Sequence, residues 1–207
     1  MSDAEKDVVK KIAIIKTLLQ DSIDVKQRLV ADADILTRIA DVAQRCVDAL
    51  RGDNKLLLAG NGGSASDAQH IAAELVGRFE LERDGMPAMA LTTNASQLTA
   101  LSNDYGYDAV FSRQLQAFAK KGDVFFGLST SGNSANVVAA AEVAKARGLF
   151  VVGMTGQSGG KLEVLCDICM KVPSDNTARI QEAHITIGHI VCALIERALV
   201  TEYTDSD

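Results

Sequence analysis

Apolar positions first follow helical stripes and then fall into short runs separated by further helical segments. Val8, Ile12, Ile15, Leu19 and Ile23 recur at three- and four-residue spacing with Lys, Asp and Gln opposite, which predicts a helix over 5–29. Ile35, Leu36, Ile39, Val42, Ala43, Cys46, Val47 and Leu50 predict a second, with Asp32 or Asp34 as its cap and Gly52 as its stop. From Lys55 onward the pattern predicts strands over 55–59, 87–91, 123–128, 149–154 and 167–172. Between and after them it predicts helices over 65–79, around 95–101 and 108–120, over 134–147, near 160–165 and from 177 to about 200.

Alternation of this kind predicts an α/β fold, a doubly wound parallel sheet covered by helices on both faces. One domain spans 1–207: N-terminal helices in 1–52, the α/β core and last helix in 53–200, and a frayed tail in 201–207. The first helix is long enough to project beyond the core, so its apolar stripe is read as a bundle or oligomer contact. In such sheets ligands bind at the carboxyl ends of the strands, which points to the loops after Ala59, Leu128 and Met154.

The loop after the first strand is the richest in chemistry. Leu56–Leu58 runs into Gly60-Asn61-Gly62-Gly63, where glycines admit positive φ, and Ser64 or Ser66 is placed to cap the next helix. Main-chain N–H groups at such a turn favour an anion. The spacing is neither GxGxxG nor GxxxxGK[ST], so a nucleotide is not implied. His70 and Glu74 follow four residues apart on one helical face, either as a surface hydrogen bond or as a metal-ligand or acid/base pair. After the third strand, Ser129-Thr130-Ser131-Gly132-Asn133-Ser134 brings four hydroxyls to a helix N-terminus, either a capped Ser/Thr turn or, since two hydroxyls suffice for capping, a cradle for a phosphomonoester without lysine. The remaining histidines, His184 and His189, lie in the last helix; a buried histidine there is either a hydrogen-bonded core residue or a metal or proton-transfer group.

Composition narrows this. A net charge of -6 over 207 residues argues against coating a nucleic acid. The charged, amphipathic N-terminus is no secretory signal, and no uninterrupted apolar run approaches the ~18 residues of a membrane span, so a cytoplasmic protein is expected. Of Cys46, Cys166, Cys169 and Cys192 only Cys166 and Cys169 have CxxC spacing. Their place at a predicted strand, with no second CxxC, favours ordinary buried thiols over a redox or zinc motif.

Taken together, Gly60–Ser64 with Asp67, His70 and Glu74, the Ser129–Ser134 loop, and Arg179-Ile180-Gln181-Glu182 with His184 and His189 resemble the sugar isomerase (SIS) domain family over about Leu36–Leu199. The resemblance implies a cytoplasmic ketose–aldose isomerase acting on a seven-carbon sugar phosphate through an enediolate. It implies sugar contacts from Asn61, Gly62, Gly63, Asn103 and Asp104, with Glu74 and Gln181 also touching substrate, and a phosphate clamp from Ser129, Thr130, Ser131 and Ser134. By the same resemblance His70, Glu74, Gln181 and His189 hold one Zn²⁺ per subunit, and Glu74 and His189 form the acid/base pair. An aspartate that some members carry near the substrate is replaced here by Ala178. Gln181 and His189 are eight residues apart, about 12 Å along a helix, so they meet one metal only by convergence or from two subunits. A homotetramer with shared sites is the implied assembly, with no nucleic acid and no membrane as partner. The same family includes a non-catalytic adaptor that binds a replication initiator, other sugar-phosphate isomerases, and sugar-phosphate sensors. His189, together with His70 and Glu74, is the feature that favours the enzyme.

Overall fold

The computed structural model describes residues 2–204. Two helices lead in, α1 (Asp3–Ala31), opened by a capping box between Ser2 and Glu5, and α2 (Ala33–Arg51), capped by Asp32. There follow β1 (Leu56–Gly60), α3 (Gly63–Val76), β2 (Ala88–Ala90), α4 (Ala95–Tyr105), a 3₁₀ turn over Tyr107–Ala109, and α5 (Val110–Phe118). The chain closes with β3 (Val124–Leu128), α6 (Ala135–Ala146), β4 (Phe150–Thr155), the short α7 (Gly160–Glu163), β5 (Ile168–Lys171) and α8 (Thr177–Thr204).

Every predicted element is present. The first strand's helix begins at Gly63, two residues earlier than its pattern predicts, because Gly62 rather than a serine occupies the N-cap and Ser64 is buried inside the helix. The tail expected to fray from Thr201 continues α8 as far as Thr204; residues 205–207 lie outside the described residues.

The five strands pair in parallel in the order β2-β1-β3-β4-β5. That is a doubly wound sheet whose winding reverses between β1 and β3, so the loops leaving Gly60 and Leu128, which are register partners, diverge around a crevice. One sheet face is covered by α2, α3 and α8, whose Ile39, Val42, Ala68, Ile71, Ala183 and Ile187 join Leu56, Leu58 and Phe126. The other is covered by α5, α6 and α7 over Leu57, Phe125 and Val151. The central strands are buried on both faces, as their unbroken apolar runs require.

α8 is the one helix among the described residues long and apolar enough by composition to cross a membrane, with a mean hydropathy of 1.5 over Thr177–Val200. No uninterrupted apolar run in it reaches that length, because Arg179, Gln181, Glu182, His184, His189, Glu196 and Arg197 interrupt it while the apolar residues between them keep the helix's mean high. Its apolar side is spent inside the protein, against α2 and α3. α1 is the opposite case: only Val25 and Leu29 of its 29 residues are buried.

Candidate active site

Both crevice loops take their shape from local backbone demands. Gly62 sits at φ 55° and ψ -122°, a region that L side chains avoid, and no side chain caps the N-terminus of α3. In the serine loop Gly132 has φ 67°, and a Cβ there would lie 2.0 Å from the Gly159 carbonyl oxygen, so the turn before α7 interlocks with it. Ser129 Oγ and Ser134 Oγ are 2.9 Å apart, and the main chain of Gly132 donates to the Ser129 carbonyl at 2.9 Å. Ser134 is the N-cap residue of α6, yet its hydroxyl turns to Ser129 and caps nothing. Ser129 is buried, Thr130 and Ser134 half-buried, and Ser131 exposed. Hydroxyls are thus gathered at an uncapped N-terminus of a 12-residue helix, where the dipole favours an anion.

Asn61 lies between the two loops. Its Oδ1 accepts from Asn136 Nδ2 at 2.9 Å and from the Tyr107 hydroxyl at 3.0 Å, and its Nδ2 donates to Asn136 Oδ1 at 2.8 Å. Two donors fill the carbonyl oxygen's lone pairs, so toward the crevice Asn61 offers an amide N–H and its main chain. Neither Asn136, buried at the start of α6, nor Tyr107 is picked out by sequence reasoning. The only signal was that both sit beside motif residues. Asn103 and Asp104 face solvent at the end of α4 and hydrogen-bond each other at 2.9 Å, one turn before Tyr107.

The histidine–glutamate pair of α3 meets α8. His70 Nε2 lies 2.9 Å from Glu74 Oε1 and 3.2 Å from His189 Nε2, and the two imidazoles cross edge to face at 66°. One ligand atom from each of His70, Glu74 and His189 lies within 4.8 Å of the others. Two ring nitrogens facing each other at 3.2 Å cannot both carry a proton, so either one donates to the other or both turn their lone pairs to a shared cation. Phe79 lies against His189, with ring centroids 5.4 Å apart. His70 is exposed and Glu74 and His189 half-buried, so the cluster is open on one side.

Gln181 lies toward the glycine-loop end of the same helix pair. Its amide lies against Gly63, where a Cβ would approach it to 2.5 Å, at the loop end of the α3–α8 pair. His70 is seven residues further along α3, about 10 Å by helical rise. Asp67 stands between the two levels, with Oδ2 buried and without a hydrogen-bond partner; burial pushes its carboxyl up to about 6, opposed by the nearby His70. His184 is apart from both: fully buried, it meets the Thr155 carbonyl through Nε2 at 3.2 Å, and burial pushes its pKa down to about 4. It is a neutral core histidine.

A doubly wound sheet with a serine cradle at one crevice loop and a His/Glu cluster behind the other defines the class. The chain belongs to the SIS domain family, whose model matches residues 21–156. Its relatives narrow this further: it is 56% identical over 185 residues to the phosphoheptose isomerase of Aneurinibacillus thermoaerophilus, covering 89% of this chain and 93% of that one. Among solved structures it is similar to the phosphoheptose isomerase of Neisseria gonorrhoeae, at 42% identity and a TM-score of 0.84, covering 89% of this chain and 97% of that one. The phosphoheptose isomerase of Francisella tularensis matches at 37% identity with a TM-score of 0.86, over 90% and 98% of the two chains.

Proposed function

We propose that this protein is an aldose–ketose isomerase that converts D-sedoheptulose 7-phosphate to D-glycero-D-manno-heptose 7-phosphate, the first step toward ADP- or GDP-activated heptose. The observation that carries this reading is the convergence of His70, Glu74 and His189 in a chain that also holds a hydroxyl-lined helix N-terminus for the phosphate. The relatives' shared name supplies the sugar.

Moving the carbonyl from C2 to C1 takes a proton off C1, gives an enediolate, and returns a proton to C2. O1 loses its proton and O2 gains one. Glu74, a half-buried carboxylate with one oxygen on His70, is suited to take the C1 proton, and His189 to hold and deliver a proton at the oxygen side; microscopic reversal exchanges these roles. Phosphate held by Ser129, Thr130, Ser131 and Ser134 fixes the far end of the sugar, and the Asn61–Gly63 loop, with Asn103 and Asp104 at the rim, orients its middle. Two imidazole nitrogens and a carboxylate suit Zn²⁺, with Gln181 of this or a neighbouring chain as a fourth donor. When bound, the ion stabilises negative charge on the enediolate oxygens. Four free cysteines suit action in the cytoplasm.

Aldose formation from sedoheptulose 7-phosphate by the purified protein tests the reading. We expect turnover in the wild type and a loss of about 10³-fold or more in Glu74→Gln and His189→Ala, the scale of a positioned acid or base. Full activity in both variants overturns the assignment of roles; no turnover in the wild type, with or without zinc, overturns the reaction.

A further inference from the structure

The CxxC pair does not sit as two strand residues would. In a regular strand, positions three apart point to opposite faces. Only Cys169 belongs to β5; Cys166 lies in the turn that follows α7, and that turn returns its sulfur to the face Cys169 uses. Both sulfurs cover the Cα of Gly153, the register partner of Cys169 on β4. A Cβ there would lie 2.5 Å from Cys166 Sγ and 3.2 Å from Cys169 Sγ. Cys166, with one S–H, lies 3.1 Å from the Leu162 carbonyl and shares the space over Gly153 with Cys169. Its S–H beside Cys169 holds the Cys169 thiol below the ordinary cysteine value against the opposing effect of burial, and Cys166 keeps its own proton correspondingly harder. Cys46 and Cys192 are the internal contrast: burial pushes both up.

We propose that Cys166 and Cys169 form a reversible dithiol–disulfide site, on the opposite sheet face from the His/Glu cluster, whose oxidant is a small peroxide. Cys169 is buried and Cys166 only partly so, both at the edge strand β5, so the proposed oxidant is one little larger than water, reaching the pair from the Cys166 side. The Cys169 thiolate attacks one peroxide oxygen and the O–O bond breaks; the departing hydroxide takes up a proton as water, leaving a sulfenic acid on Cys169. Cys166 sulfur then attacks the sulfenyl sulfur; the S–S bond forms and the second oxygen leaves as water with the Cys166 proton. Two thiols are oxidised by two electrons and the peroxide is reduced to two waters. A small-molecule thiol restores the dithiol by exchange.

Oxidation reaches the serine loop through α7. A disulfide takes Cys166 Sγ off the Leu162 carbonyl, and the Leu162 N–H donates to the Gly132 carbonyl at 2.9 Å. The oxidised protein is therefore expected to bind the phosphate end less well, a consequence that rests on the function proposed above; the disulfide itself does not.

The test is intact-mass analysis of the folded protein after hydrogen peroxide, followed by alkylation under denaturing conditions. We expect a loss of about 2 Da and two alkylatable thiols instead of the four free cysteines of the reduced chain. The loss should be absent in Cys166→Ser, Cys169→Ser and Cys169→Ala and retained in Cys46→Ser. Four alkylatable thiols after oxidation, or a 2 Da loss that survives in Cys166→Ser, overturns the site. In turnover assays the oxidised wild type should show KM raised severalfold with reversal by dithiothreitol. An unchanged KM overturns the link to Gly132 while leaving the isomerase reading intact.

Discussion

At the scale of single residues, the distinction between a group that faces the substrate and one that holds it there is drawn by hydrogen-bond accounting. Asn61 carries a substrate role in the sequence reading, and its carbonyl oxygen is already filled by Asn136 and Tyr107. Asn136→Ala removes both bonds of the reciprocal amide pair and leaves the Asn61 side chain free to turn. We expect kcat/KM for the sugar phosphate to fall about tenfold, the equivalent of roughly 1.4 kcal/mol and within the net value of one or two hydrogen bonds. Tyr107→Phe breaks one bond at an exposed ring and should cost about threefold, with the thermal midpoint unchanged. Steady-state kinetics beside a melting curve check the order; a larger loss for the tyrosine variant would assign Tyr107 a direct contact with the sugar. The three histidines make the same point. Sequence placed them in two helices, but only packing separates His70 and His189, which meet at 3.2 Å, from His184, which burial keeps neutral against the Thr155 carbonyl.

At the scale of elements, what was legible follows period and punctuation. Helical stripes, apolar strand runs and glycine turns lie within a few residues of the chain, so all five strands and the helices between them could be read from it. Pairs far apart in sequence carried no such signal: Asn61 with Asn136, Gln181 with Gly63, and Arg83 with Glu196. The last pair fixes the loop between α3 and β2. Arg83 donates to the carbonyls of Glu74, Leu75, Gly77 and Asp84, satisfying the end of the helix that carries His70 and Glu74. Glu196, almost fully buried, accepts from the main-chain N–H groups of Phe79, Glu80 and Leu81 and from Arg83. Burial pushes its carboxyl up, but those three N–H groups and the guanidinium together outweigh burial and hold it below the ordinary glutamate value. A carboxyl depressed on folding contributes stability that is complete above its unfolded value, about 4.3, and is lost as pH falls through the folded one. Glu196→Gln leaves Arg83 buried without its counter-charge and should destabilise the protein by about 3 kcal/mol near neutral pH. Urea denaturation from pH 7 down to about 3 should show that gap closing below the unfolded glutamate value; a gap independent of pH would mean that the carboxylate charge contributes nothing.

At the scale of the whole molecule, the chain as described has an apolar surface that it does not use. Val8, Ile12, Ile15, Leu19 and Ile23 of α1 are between 47% and 61% exposed and repeat at helical spacing, a continuous stripe of a kind that monomers rarely leave to water. The far end of α1 is anchored, with Val25 and Leu29 in the core and Arg179 Nη1 donating to the Leu18 carbonyl at 2.9 Å. The stripe is therefore presented by a fixed helix, and the partner that matches it most simply is the same stripe on another copy. The His70/Glu74/His189 cluster is open on one side, and Gln181, the fourth donor the resemblance implies, holds its amide against Gly63, about two helical turns from His70. Light scattering should give a multiple of the 22.0 kDa chain mass, four-fold if the assembly is the implied tetramer. Replacing Ile12 and Leu19 with glutamate places charge at the centre of the stripe and should shift the protein toward monomer. Because α1 contributes only two residues to the core, the α/β domain should keep its circular dichroism while activity falls. A monomeric variant with undiminished turnover per chain would show that each subunit's site is complete by itself, and Gln181 would then act at the sugar loop, where its amide already lies.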